Sequence, residues 1–136
     1  MQNTRENLQP ERTRHTALAQ SPLTVEQLLA LVLAALEDGK AREVKVIDVR
    51  GKTSITDYMV VASGTSERHV KAVADQVVEK AKEQGVKPLG TEGQQAAEWV
   101  LVDLGDVIVH MMKPQTREFY QLEKLWETDY DEAGTA

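Results

Sequence analysis

Gly64, Thr65 and Ser66 stand where the apolar run Tyr58-Met59-Val60-Val61-Ala62 meets the start of a helical pattern. A glycine and two hydroxyls at such a junction could hold an anion, because the first N–H groups of a helix lack intrahelical acceptors and the helix dipole adds positive potential. Phosphate sites of the familiar kinds need more. A Walker loop ends in Gly-Lys-Ser/Thr and a dinucleotide fingerprint carries three spaced glycines; the sequence around Gly64 has neither. Strand, glycine and Ser/Thr before a helix also open nucleotidyltransferase sites, which hold two metal ions on paired carboxylates of a neighbouring strand. That pair is missing. Asp103 and Asp106 flank a turn, and Asp129 and Asp131 fall in the C-terminal tail. The residues are fully accounted for as the turn and cap of a βα unit. A nucleotide-binding or nucleotidyl-transferring enzyme using Gly64-Thr65-Ser66 stands as the competing reading.

The remaining reactive side chains are few. The chain has no cysteine, which excludes disulfides, thiolate nucleophiles and cysteine zinc sites. His15, His69 and His110 fall in a tail, an early helix turn and a strand, a spacing that suggests no shared metal. His110, within Asp106-Val107-Ile108-Val109-His110, is expected to be a satisfied structural residue. The sequence therefore predicts no catalytic residue, no metal and no cofactor.

The elements that position these residues follow from periodicity. Thr24 offers an N-cap with Gln27 three residues on, as in a capping box, and Val25, Leu28, Leu29, Val32, Ala35 and Leu36 form a helical stripe ending near Gly39. Residues 43–50 and 57–63 read as two strands whose short connection fits an antiparallel pair. Residues 66–84 read as a helix carrying Val70, Val73, Ala74, Val77, Val78 and Ala81, stopped by Gly85. Residues 86–91, broken by Pro88 and Gly90, predict a poor edge strand. Two better strands, 98–103 and 107–112, join as a tight hairpin. A last helix is expected over 116–127, with Phe119, Leu122, Leu125 and Trp126 as its apolar stripe. The expected organisation is a mobile tail over 1–22, one α/β domain over 23–127 with a mixed sheet of about five strands, and an acidic tail over 128–136.

Composition narrows the function. The net charge of -6 disfavours sequence-independent nucleic-acid binding, which needs clustered Lys and Arg; an acidic domain suits a basic protein partner. The head lacks a signal-peptide h-region and no apolar run is long enough to span a bilayer, so a soluble cytoplasmic protein is expected. Aromatic residues make up only 4% of the chain, yet Trp99, Tyr120 and Trp126 lie in its last third. Trp126 belongs to the core stripe; Tyr120 lies off it. If the first two helices cover one face of the sheet, Trp99, Leu101 and Met111 form an apolar stripe on the other, which either is covered by the last helix or stays open to bind a partner or a second copy of the chain.

The stretches DYMVVASGTSERHVKAVADQVVEK, Glu92-Gly93, WVLVDLGDVIVHMM and REFYQLEKLWE, in that order, resemble the ribosomal silencing factor family, also called Iojap, over roughly Leu23 to Glu127. The resemblance implies a nucleotidyltransferase-like topology without the catalytic carboxylates. It also implies binding to the large ribosomal subunit through ribosomal protein L fourteen, and a steric block on subunit joining that lowers translation under starvation. The family's partner-binding surface corresponds here to Trp99, Leu101, Met111, Pro114 and Tyr120, with Asp103 as a nearby carboxylate.

Overall fold

Thr24 begins the first element as its sequence requires: its side chain accepts the Gln27 N–H while the Gln27 side chain accepts the Thr24 N–H. A computed structural model describes residues 23–126, so the two expected tails lie outside the described residues. Helix α1 (Val25–Asp38) leads to strands β1 (Arg42–Asp48) and β2 (Tyr58–Ser63), helix α2 (Glu67–Glu83), strands β3 (Gly90–Glu92), β4 (Trp99–Asp103) and β5 (Val107–Met112), and helix α3 (Pro114–Tyr120). The five strands form one sheet in the order β1-β2-β5-β4-β3.

β1 pairs antiparallel with β2, as their short connection predicts, and β4 and β5 form the expected hairpin. β2 and β5 pair in parallel. The poor strand after α2 is present as three residues at the sheet edge, pairing only with β4. This is an α/β architecture with a mixed five-stranded sheet and helices packed on it.

α1 and α2 cover one face. Leu28, Val32, Ala35 and Leu36 of α1 and Val70, Val73, Ala74, Val77 and Ala81 of α2 close over Val60, Ala62, Val100, Val102, Val107, Val109 and Met111, all of them buried. The opposite face carries a smaller cluster, Ile47, Val49, Met59, Val61 and Met112, against which Trp99, Leu122 and Trp126 pack. β1 lies at the free edge and leaves Val44 and Val46 exposed.

Two expectations fail here. Met111 is not on the stripe with Trp99 and Leu101. In the antiparallel hairpin Trp99 pairs with Met112 and Val100 with Met111, and side chains alternate along each strand, so Met111 points to the helices and is fully buried. The last helix is not continuous either. α3 ends at Gln121, which takes a left-handed conformation with φ 48, and a separate helical turn follows over 122–126. The break turns Leu122 and Trp126 onto the second cluster and leaves Phe119 and Leu125 exposed.

Candidate partner-binding surface

β4 presents Trp99, Leu101 and Asp103 on the face away from α1 and α2, each half-buried. The backbone of this strand is held closely by the turn before it. Gly93 has φ 87, and a side chain there would collide with the Trp99 carbonyl oxygen, so the Glu92-Gly93 pair fixes where Trp99 starts. The Trp99 indole N–H donates to Nδ1 of His110, across the hairpin, at 3.0 Å. An indole N–H only donates, so Nδ1 is the acceptor and Nε2 carries the proton. Burial pushes the His110 pKa down to about 4, which keeps the ring neutral and the bond intact.

Tyr120, the last residue of α3, stacks on Trp99 with ring centroids 5.0 Å apart and a 51° tilt. Phe119 meets Tyr120 edge-on at 4.8 Å. Tyr120 is 56% exposed and Phe119 79%, so three neighbouring aromatic rings rise from a half-buried base to open solvent. Pro114 supplies the first turn of α3, where its missing N–H is harmless; it is exposed and stands at the opposite end of that helix from Tyr120. Asp103 has one carboxylate oxygen occupied by the Gly105 N–H of the hairpin turn at 2.9 Å, so it shapes the turn as well as adding negative charge.

α3 is held against the sheet by Arg117, which is nearly buried. Its Nε donates to Glu123 Oε2 at 2.8 Å and its Nη1 to Ser63 Oγ, at the end of β2, at 2.9 Å. Burial pushes the Glu123 carboxyl up, but the Arg117 hydrogen bond, its own backbone N–H and the charges of Arg117 and Lys45 outweigh that and hold it below its ordinary value. Leu122 and Trp126, in the turn at 122–126, pack on the cluster of Ile47, Val49, Met59, Val61 and Met112, as Trp99 does. Five of the six residues assigned to partner binding, Trp99, Leu101, Asp103, Pro114 and Tyr120, thus reach the surface, and Met111 does not. Phe119 was expected in the core and joins them; no glycine marks the break at Gln121, so the sequence carries no signal for it.

The turn at Gly64 is occupied by the protein itself. Its N–H donates to the Met112 carbonyl at 3.0 Å, the Thr65 N–H to His69 Nδ1 at 2.9 Å, and the His69 N–H to Ser66 Oγ at 3.1 Å. Having accepted at Nδ1, the His69 ring donates from Nε2 to the Gly39 carbonyl at 2.8 Å, joining the start of α2 to the end of α1. Gly64 is required by close packing, since a Cβ there would lie 2.7 Å from Val70 Cγ2 and 2.9 Å from its backbone nitrogen. Among the described residues no group of three His, Cys, Asp or Glu side chains converges on a point that could hold a metal ion, and no helix is long and apolar enough to cross a membrane.

Fold and surface together define a small α/β domain: a mixed sheet covered by two helices on one face and carrying the half-buried Trp99 and the exposed Tyr120 and Phe119 on the other. The chain belongs to the family described as "Ribosomal silencing factor during starvation", whose pattern it matches over residues 22–135. It is 46% identical over 99 residues to the ribosomal silencing factor RsfS of Haemophilus influenzae, covering 73% of this chain and 97% of that one. A crystal structure of a Chromobacterium violaceum protein superposes with a TM-score of 0.76 at 44% identity, covering 77% of this chain and 88% of the other. The mouse protein named "Mitochondrial assembly of ribosomal large subunit protein 1" is 38% identical over 99 residues, which span 71% of this chain and 43% of that protein. Membership carries regulation of translation and association with the ribosome.

Proposed function

We propose that this protein docks on the large ribosomal subunit through ribosomal protein L fourteen and prevents the small subunit from joining, lowering translation when nutrients are limiting. The observation that carries the reading is the aromatic platform of Trp99, Tyr120 and Phe119, exposed at its outer end. Rings of this kind bury large areas at low entropic cost and dominate binding energies at interfaces. A net charge of -6 favours encounter with a basic protein through complementary fields. Asp103 and Glu92, on the β4–β3 side of the same face, supply local negative charge beside the rings. The action needs no chemistry: a folded domain occupying the surface where the two subunits meet excludes one of them by volume. The place of action is the cytoplasm, where ribosomes are.

Separated subunits, mixed with and without the purified protein and followed by sedimentation, test the proposal. The expected result is fewer joined ribosomes, with the protein travelling on the free large subunit. Joining that is undiminished at saturating protein overturns it.

A further inference from the structure

β1 has one neighbour in the sheet, β2, so among the described residues the backbone along its outer side faces no strand. Such an edge is a template for another strand. The ladder to β2 is regular over residues 45–48; before Lys45 the register shifts, and Glu43 has φ 46, so a partner strand can run regularly along 45–48. The side chains of that run divide between the two faces. Val46 pairs with Val60 on the helix-covered side and remains 37% exposed, with Val44 nearby at 39%. Lys45 and Ile47 pair with Val61 and Met59 of the other cluster. A strand that completes this edge therefore needs an apolar residue for Val46 and, on the opposite face, a residue that suits Lys45.

The chain itself carries such a sequence. Residues 127–136 lie outside the described ones, but the point they start from is held: Trp126 packs on the cluster that contains Ile47 and Val49, and its carbonyl accepts from Lys52 Nζ at 2.7 Å. The segment thus leaves from the Asp48 end of β1 and can follow the edge only in the antiparallel sense. Charge favours that course. Glu127-Thr128-Asp129-Tyr130-Asp131-Glu132 holds four carboxylates and no cation, whereas residues 42–52, in a chain of net charge -6, hold four cations against two carboxylates. Opposite residues of an antiparallel pair share a face, and this sets the register. With Tyr130 opposite Val46, the ring covers the exposed valine, Asp131 stands opposite Lys45, Asp129 opposite Ile47 on the same face, and Thr128 opposite Asp48. Trp126 then falls level with Arg50, next to the Lys52 that holds it. A slip of one residue either way would lay a carboxylate on Val46 instead.

We infer that residues 128–131 add an antiparallel strand to the edge of β1, with Tyr130 on Val46 and Asp131 beside Lys45, so that the acidic end of the chain closes the edge through which two copies would otherwise join. The inference is independent of ribosome docking. NMR on the full chain tests it. NOEs connect the Tyr130 ring to the Val46 methyl groups, and the amides of residues 45–48 that face away from β2 exchange slowly with solvent. Tyr130→Ser speeds that exchange about fivefold, the worth of one cross-strand pair. Lys45→Glu does the same, and Asp131→Lys in the Lys45→Glu background restores the protection, which a general change in stability would not do. Should Lys45→Glu fail to fold, the NOEs of the unaltered chain and the exchange in Tyr130→Ser decide the matter. Random-coil shifts over 128–131, no NOE between Tyr130 and Val46, or protection of β1 that rises with protein concentration, the sign of a second copy on the edge, overturns the assignment.

Discussion

The two faces of the sheet are built from different materials. Toward α1 and α2 it is a continuous buried layer dominated by valine and alanine, with a few leucines and Met111. The opposite face mixes Met59, Met112 and Trp99 with His110, Ser63 and Arg117, polar groups that are buried only because each has a partner. Apolar burial is non-directional and scales with area, so the first face supplies stability whatever its detailed geometry. Hydrogen bonds between buried groups add little net energy but are costly to break, so the second face fixes where Trp99 and Tyr120 stand. On the proposed function, stability and recognition thereby fall to opposite sides of one sheet.

The largest effect that would break this division is expected on the helix-covered face. Leu36→Ala, at a fully buried position, removes about 3 kcal/mol from the unfolding free energy measured in urea, while the folded fraction keeps its affinity for the large subunit. A loss under about 1 kcal/mol would mean that the layer collapses around the cavity. Acid probes the other face. His110 falls from its ordinary pKa of 6.5 to about 4 on folding, so its neutral form contributes stability in full above pH 6.5, and that contribution drains away as the pH falls toward 4. The integrated loss is about 3 kcal/mol. His110→Gln should flatten the urea midpoint across this interval, and an unchanged slope would separate His110 from the acid response.

Tyr120→Ala sharpens the contrast further. Stability drops by about 1 kcal/mol, the order expected for losing a half-exposed ring stacked on Trp99, whereas affinity for the large subunit falls roughly thirtyfold, about 2 kcal/mol. Trp99→Ala lowers both quantities, since it also removes the bond to His110; equal affinity in Tyr120→Ala would take the platform out of the interface. The smallest effect belongs to neither face. Lys71 and Asp75 form an i,i+4 pair at 3.0 Å on the outer side of α2, each about half exposed, and Asp75→Asn should cost a few tenths of a kcal/mol, vanishing in high salt.

Local signals were legible and long-range ones less so. The capping box at Thr24 and Gln27, the valine stripe of α2 and the β4–β5 hairpin follow from residues within one turn or one loop of each other. Trp99 and Tyr120 were readable as surface aromatics by the same means. Met111 was assigned to the wrong face, because placing a strand residue across a hairpin requires the register, and a slip of one residue inverts it. The end of α3 was hidden for a different reason: Gln121 adopts a conformation usually left to glycine, so the apolar spacing of Phe119, Leu122, Leu125 and Trp126 suggested one unbroken stripe. Nothing local sets Arg117 apart; only the approach of Ser63, 54 positions earlier, makes it a buried tether.

Valine has a single side-chain torsion and alanine none, so the layer beneath α1 and α2 surrenders little rotamer freedom on folding and has few alternative packings to visit. Methionine has three flexible torsions, and Met59 and Met112 belong to the far-side cluster on which Trp99 packs. With two methionines among its five buried members, against one among nineteen in the helix-covered cluster, the layer on which Trp99 packs is the more adaptable of the two.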